Sequence, residues 1–374
     1  MLESSRTTNL FQKPFFLFWA FGLVILALII RFPKLTLLPV FHDEAFYIHW
    51  AQIISDNPTD LNSLFISKVN GKQPLSFWLL ALVIDRFDDP LFAERIFAVL
   101  FGAGSTLGII LMGRKLFGVQ TALLGGLLYV FLPYAVFYER YAMLESMLNC
   151  CSVWTLFLVF KLVNEEHSKL LKAGILGLIL SVGFWVKAPF LLIVILVFFV
   201  PLFFLNSKLN YNWLSISAVL FLIFFFIYCL AMSKVILPDF GHNTIFITPK
   251  QFFVPWRQPR IIADNFLELV EYFKFYLTPI FLLFVLIGIY QAILTWNRFD
   301  FVLGLWALIP MVVVIFGVNY IYPRYLFFSI FPLCLIAARG LLFLCVWILG
   351  GIISLCGAMA YSELGTYFPK AGGD

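Results

Sequence analysis

Long apolar runs divide this chain of 374 residues from one end to the other. Runs with no charge, or nearly none, cover residues 15–30, 96–112, 116–136, 141–160, 170–186, 189–206, 213–233, 276–296, 301–319, 325–338 and 341–360. A helix crosses a bilayer with about 20 apolar residues, in a range of roughly 17 to 25. By that rule the chain makes about eleven crossings. Composition excludes the alternative of a water-facing globule. The chain is 63% hydrophobic and 12% charged, with a mean hydropathy of +0.99. A soluble domain is about half apolar and about a quarter charged. The expected fold is an all-α polytopic membrane protein, one integral domain over 1–374 with no separate soluble domain.

Charge and cysteine content exclude other classes. The net charge of +5 comes without a dense basic run, so no nucleic-acid partner is expected. Six cysteines sit inside apolar runs with no CxxC spacing, so neither a disulfide framework nor a zinc cluster is implied.

Two segments break the pattern. Residues 32–95 form a long first loop. Within it, 74–84 is apolar but would cover only about 16 Å as a helix, too little to span. It reads as an amphipathic helix in the interface, with Phe77 and Trp78 dipping into lipid. A second long loop covers about 234–275. One crossing precedes the first loop and six more precede the second, so both lie on one side. Lys and Arg in the short connections are denser on the other side, which places that side in the cytoplasm and the long loops outside. The expected location is a plasma or inner membrane, with an extracytoplasmic site.

Polar residues gather at the outer ends of the predicted helices. In "FHDEAFYIHW" (41–50), Asp43 and Glu44 stand side by side at an apolar boundary. A carboxylate there suits a general base, and it equally suits a helix cap. Glu145 lies about one turn inside a predicted span, where a carboxylate is costly and marks function by default; pairing with Arg140 is the plainer reading. Lys72 and Arg324 are candidate phosphate binders, Arg324 following Pro323 at a helix start. A snorkelling interfacial side chain is the alternative for Arg324, and the favoured reading for Lys187 in "WVKAPF". His242 is a candidate metal ligand or acid.

The order of motifs resembles the GT-C glycosyltransferases of the protein O-mannosyltransferase and aminoarabinose-transferase type. The family's acidic first loop is similar to "HDEAFYIHWA", and its lysine motif to "KQPLSFWLLAL". "AERIFAVLFGAGS", "GRKLFGVQTALLGG" and "PYAVFYERYAMLES" follow in family order, then "VGFWVKAPFLL" and "YPRYLFFSIFPLCLIAARGL". Gln73 replaces the first proline of the lysine motif, and Glu145 stands where the family usually has aspartate.

The resemblance implies a sugar donor on polyprenyl or dolichyl phosphate. Transfer would invert the anomeric carbon at the extracytoplasmic face. Asp43 would be the base, with Glu44 beside it and Glu145 orienting the network. Lys72 and Arg324, with Arg140 as a further cation, would hold the donor phosphate. The acceptor is a lipid, glycan or protein. A divalent metal, on Asp43, Glu145 and His242, is left open as a cofactor. The rival reading is a transporter or flippase of a lipid-linked sugar, which would favour broken mid-membrane helices and two related halves.

Overall fold

A computed structural model describes residues 4–164, 169–200, 203, 212–235 and 258–367. Among these the chain is helical and contains no strand. It is an integral multi-pass membrane protein. Helix α1 (Ser4–Arg31) stops just before Phe32-Pro33, where the proline ring disfavours helical geometry in the preceding residue. The first long loop then folds into α2 (His42–Asp56), α3 (Leu61–Leu64) and α4 (Leu75–Ala81). Asp60 caps α3 by accepting from the Asn62 and Ser63 amides. Helix α5 (Pro90–Phe117) carries Asp89 as its N-cap and Pro90 at its first turn. Gly118, at φ +92°, permits the reversal into α6 (Val119–Phe131).

The remaining helices are α7 (Pro133–Tyr138), α8 (Leu144–Asn164), α9 (Lys169–Val186), α10 (Leu191–Phe199), α11 (Asn212–Lys234), α12 (Pro259–Tyr272), α13 (Pro279–Thr295), α14 (Arg298–Gly317) and α15 (Phe331–Tyr367). Helix α8 is the most enclosed of the spans and packs on α5 and α9. Helix α5 also packs on α1 and α6, and α15 on α6, α13 and α14. The outward faces of α1, α11 and α13 display large apolar side chains, as lipid contact requires.

Seven described helices are long and apolar enough to cross, or eight if Pro259–Leu277 and Pro279–Thr295, bent by 106°, count as one span. Three expectations change in detail. The run 116–136 is helix α6 and the separate α7, broken at Leu132-Pro133. The described helix within 189–206 is the short α10. The runs 325–338 and 341–360 are not separate: a 3-10 helix, Pro323–Ser329, leads into one helix of 37 residues. Arg339 and Gly340 look like a break in sequence, yet both belong inside the packing. The Arg339 guanidinium donates to Asp300 at the start of α14. Gly340 lets α15 approach α13 so closely that a Cβ would strike the Phe284 carbonyl.

The interfacial helix also differs. Phe77 is turned into the protein and Trp78 is partly covered by it. Phe77 is buried against Tyr47 and Trp50. Trp78 packs on Phe65 and Trp185, and its indole N–H donates to the Leu64 carbonyl at 2.5 Å. An aromatic with a polar edge gains more where that edge finds a partner. The exposed apolar residue of this segment is Leu82.

Two buried ion pairs brace this end of the bundle, and the first of them fixes the first loop to it. Glu44 and Arg95 are wholly buried. Arg95 Nε and Nη2 donate to the two Glu44 oxygens at 2.9 and 2.7 Å. Glu44 also accepts from the Phe41 amide (2.8 Å) and the Ala142 amide (2.7 Å). The other guanidinium donors reach the carbonyls of Leu35, Leu38 and Pro39. In the second pair, Arg31 Nε meets Glu139 at 2.5 Å, with both side chains fully buried. Lys68 Nζ donates to the Met232 and Val235 carbonyls, so the first loop and the end of α11 are in contact.

Removing one partner of a buried pair strands the other and costs about 3–5 kcal/mol. Arg95→Met is expected to lower the unfolding free energy of the detergent-solubilised protein by that amount, read as a lower unfolding midpoint. An unchanged midpoint would show that the Glu44 contacts do not hold the loop.

Candidate active site

Asp43 and Glu44 occupy the first turn of α2, where negative charge complements the helix dipole. Their side chains go opposite ways. Glu44 is consumed by Arg95 and two backbone amides, so its role is to anchor the turn. That leaves Asp43 facing Lys72 and Arg324, with its side chain 15% exposed. One Asp43 oxygen lies 3.4 Å from Lys72 Nζ and the other accepts from Arg324.

Each cation is fixed by local geometry. Gly71 sits in the left-handed region at φ +62° and turns the chain sharply. Lys72 is then clamped through its backbone: its amide donates to Ser67 O at 3.0 Å and its carbonyl accepts from Ser67 Oγ at 2.9 Å. Lys72 Nζ also donates to the Tyr47 hydroxyl at 2.8 Å. Tyr47 lies one helical turn beyond Asp43 on α2, so one face of that helix supplies both. Arg324 opens the 3-10 helix Pro323–Ser329, between the rings of Phe41, Tyr322 and Tyr325. Its Nε is buried without a hydrogen-bond partner.

A second ion pair adjoins the first. Glu145, in the first turn of α8, pairs with Lys187 Nζ at 2.5 Å, and Lys187 also faces the Tyr325 ring. Gln73 joins this pair to the lysine loop. It is buried, and its side-chain oxygen accepts from the Ala188 amide at 2.9 Å. A proline at 73 could not make that bond. Glutamine at this position therefore ties Lys72 to the turn carrying Lys187.

The charges perturb one another. Burial pushes Asp43 up, but the charges of Lys72 and Arg324 together outweigh it and leave its carboxyl below the ordinary aspartate range. Burial pulls Lys72 below the usual lysine range; Asp43 opposes this, while Lys187 and Arg324 reinforce it. Burial drives the Tyr47 phenol well up, with Glu145 and Asp43 adding to it. Three cations thus face two carboxylates, which leaves an excess of one positive charge among partly buried side chains. Such an excess attracts anions.

The structure brings Asp43, Lys72 and Arg324 into contact, with Glu145 beside them. It takes Arg140 elsewhere: that guanidinium donates to the Pro33 and Lys34 carbonyls at an exposed edge, so it pairs neither with Glu145 nor with the Asp43 group. Lys187 is no snorkelling lysine, because Glu145 holds it. His242 lies outside the described residues. Among the described residues no three His, Cys, Asp or Glu side chains gather as a metal site. Tyr47 and Gln73 escaped the sequence reading. Tyr47 was accessible through its spacing of four from Asp43; Gln73 had no local signal beyond replacing a proline.

Comparison with known proteins agrees with this architecture. A family model described as dolichyl-phosphate-mannose-protein mannosyltransferase matches residues 71–229. Among curated protein sequences none matches. Solved structures do. ArnT from Cupriavidus metallidurans bound to undecaprenyl phosphate is similar at a TM-score of 0.60 and 16% identity, over 93% of this chain and 64% of that one. The apo form gives 0.61 and 16%, over 96% and 66%. The Archaeoglobus fulgidus oligosaccharyltransferase in the apo form gives 0.59 and 11%, over 93% and 52%. The chain thus spans less than two thirds of the length of these structures.

Contacting charges couple energetically by about 0.5–3 kcal/mol. A double-mutant cycle of Glu145→Gln and Lys187→Met, read by thermal unfolding, is expected to give a coupling in that range. Additive effects would show that the pair is incidental.

Proposed function

With the GT-C fold as premise, we propose that the chain transfers a sugar from a polyprenyl- or dolichyl-phosphate donor to an acceptor hydroxyl at the extracytoplasmic membrane face. The observation that carries this reading is the Asp43–Lys72–Arg324 cluster, in which one carboxylate shares two cations and Arg324 Nε has no partner. The solved ArnT complex, which holds undecaprenyl phosphate, supports a donor of the same class. The sugar is a hexose or pentose, and the acceptor a protein, lipid or glycan.

The chemistry follows from the charges. The donor tail lies in lipid, so its phosphate reaches the interface beside Lys72 and Arg324. The acceptor oxygen attacks the anomeric carbon from the face opposite the phosphate. The bond from that carbon to the phosphate oxygen breaks, and the configuration inverts. Asp43 takes the acceptor proton. Lys72 and Arg324 stabilise the phosphate as negative charge builds on it. A bound phosphate competes with Asp43 for the same two cations. Its arrival loosens the grip on the carboxylate and raises its basicity. Glu145 and Lys187 hold the neighbouring wall, and Gln73 keeps it in register with Lys72.

The test is acceptor-dependent release of polyprenyl phosphate by purified protein, across a panel of polyprenyl-phosphate sugars. General-base removal costs about 10²–10⁴-fold, so Asp43→Asn is expected to lose release by at least about 100-fold while keeping its unfolding midpoint. Full release by that variant would overturn the base assignment. No release with any donor, together with donor movement across liposomes, would make the protein a transporter. Arg324→Ala is expected to weaken donor affinity about 10- to 100-fold, as loss of charge-assisted hydrogen bonds does; unchanged affinity would leave Arg324 a snorkelling side chain.

The pH profile is set by the same groups. Asp43 titrates below its usual 3.8 in the free enzyme, so kcat/KM is expected to show no acid limb from this group near neutrality. Lys72 loses its proton below the usual 10.5, so a basic limb is expected under that value and shifted in Lys72→Arg. An acid limb near neutrality that disappears in Asp43→Glu would contradict this account of the resting charge state.

A further inference from the structure

A second lysine of the first loop has a different task from Lys72. Lys68 has no carboxylate partner among the described residues. Its Nζ donates to the Met232 and Val235 carbonyls, each at 3.0 Å. These acceptors lie in the last turn of α11 and just past it. A helix end leaves such carbonyls without intrahelical donors, and a cation offsets the negative end of the dipole. Helix α11 is peripheral: it packs along α9, and most of its surface lies outside the bundle. Capping that helix is the plain reading of Lys68. The turn that carries it points further.

Lys68 and Lys72 belong to one closed turn. The Gly71 amide donates to the Lys68 carbonyl at 2.8 Å, and the Lys72 amide to the Ser67 carbonyl at 3.0 Å. Ser67 Oγ closes the ring on the Lys72 carbonyl at 2.9 Å. Upstream, the Lys68 amide donates to the Phe65 carbonyl at 2.9 Å. With these groups paired, few free torsions separate the two lysines, so an anchor at Lys68 sets the point from which Lys72 reaches out. From there Lys72 Nζ meets the Tyr47 hydroxyl and Asp43. Trp78 on Trp185 and Gln73 on the Ala188 amide fix the same loop to α9 and the turn after it. Lys68 adds α11. Its own charge is not what reaches the cluster: the chief charges acting on Asp43 are those of Lys72 and Arg324, and those acting on Lys72 are Asp43, Lys187 and Arg324.

We propose that Lys68 is a positioning residue for the anion site: by clamping the closed turn 67–72 onto the C-terminal end of α11, it sets where the Lys72 ammonium stands. The inference rests on the transferase reading, in which Lys72 holds the donor phosphate. It goes beyond that reading by giving α11, a peripheral helix with no residue in the charged cluster, a part in donor binding.

The test measures undecaprenyl phosphate affinity and the unfolding midpoint of the full-length protein in nanodiscs. The variants are Lys68→Met, Lys68→Arg, Lys72→Met and the combination of Lys68→Met with Lys72→Met. Lys72→Met is expected to weaken affinity about 10- to 100-fold, as loss of charge-assisted hydrogen bonds does. Lys68→Met is expected to weaken it about tenfold through the displaced Lys72. Lys68→Arg, which donates to the same two carbonyls, is expected to keep most of it. In the combination the Lys68 change is expected to add nothing, because it acts only through Lys72. Lys68→Gln, an uncharged donor, serves the same comparison where the methionine variant does not fold. A Lys68→Met loss that recurs in full in the Lys72→Met background would overturn the proposal. So would a lowered midpoint with wild-type affinity, which would make Lys68 a helix cap and nothing more. Wild-type affinity in Lys72→Met would instead overturn the phosphate site of the transferase reading itself.

Discussion

The placement of the charged cluster depends on the buried pair of Glu44 and Arg95. Burying two charges is expensive, and the expense is recovered only when every lone pair and N–H finds a partner. Here that condition is met. Glu44 accepts four hydrogen bonds, from Arg95, Phe41 and Ala142. Arg95 spends its remaining donors on three carbonyls of the chain between α1 and α2. One contact thereby joins α1's exit, α2, α5 and the turn before α8. The neighbour of Glu44 is left with its direction set. Asp43 faces Lys72 and Arg324 because its neighbour faces Arg95, successive residues of a helix being about 100° apart.

The cleft reads as a place where charge balance does the chemistry. Asp43 alone at an apolar boundary would drift toward the neutral acid. Two cations keep it ionised, and those cations are the groups a phosphate would seek. On the proposed function, the carboxylate and an incoming phosphate compete, and the competition couples donor binding to basicity. Gln73, Lys187 and Glu145 extend the arrangement into a second layer, which sets where Lys72 stands.

Much of this was legible in the chain. Apolar runs announced the membrane class, and the failed span at 74–84 announced a loop that folds on the surface. The acidic pair, Lys72 and Arg324 were visible because charges are rare here and each falls at the end of a run. What stayed hidden depended on contacts distant in sequence. Glu145 sits near Arg140 in the chain but pairs with Lys187, more than forty residues on. Arg140 turns instead to the loop carbonyls after α1. Lys187 looked like a lysine reaching for water, since nothing local reveals that α8 brings a carboxylate to it. Phe77 and Trp78 looked like lipid anchors because hydrophobicity does not state which apolar phase a side chain enters. Arg339-Gly340 looked like a break because the cation's partner and the glycine's neighbour lie on other helices. Pairing of charges and identity of apolar neighbours are tertiary facts; periodicity and composition do not contain them.

The central claim is that Lys72 and Arg324 form one anion site which Asp43 fills in the absence of a donor. A cryo-EM structure of the protein in nanodiscs with undecaprenyl phosphate tests it most directly. The account predicts phosphate oxygens within hydrogen-bond distance of Lys72 Nζ and the Arg324 guanidinium, with the Asp43–Arg324 contact released and Glu44–Arg95 unchanged. A phosphate bound elsewhere, with Asp43 still held between its two cations, would contradict it.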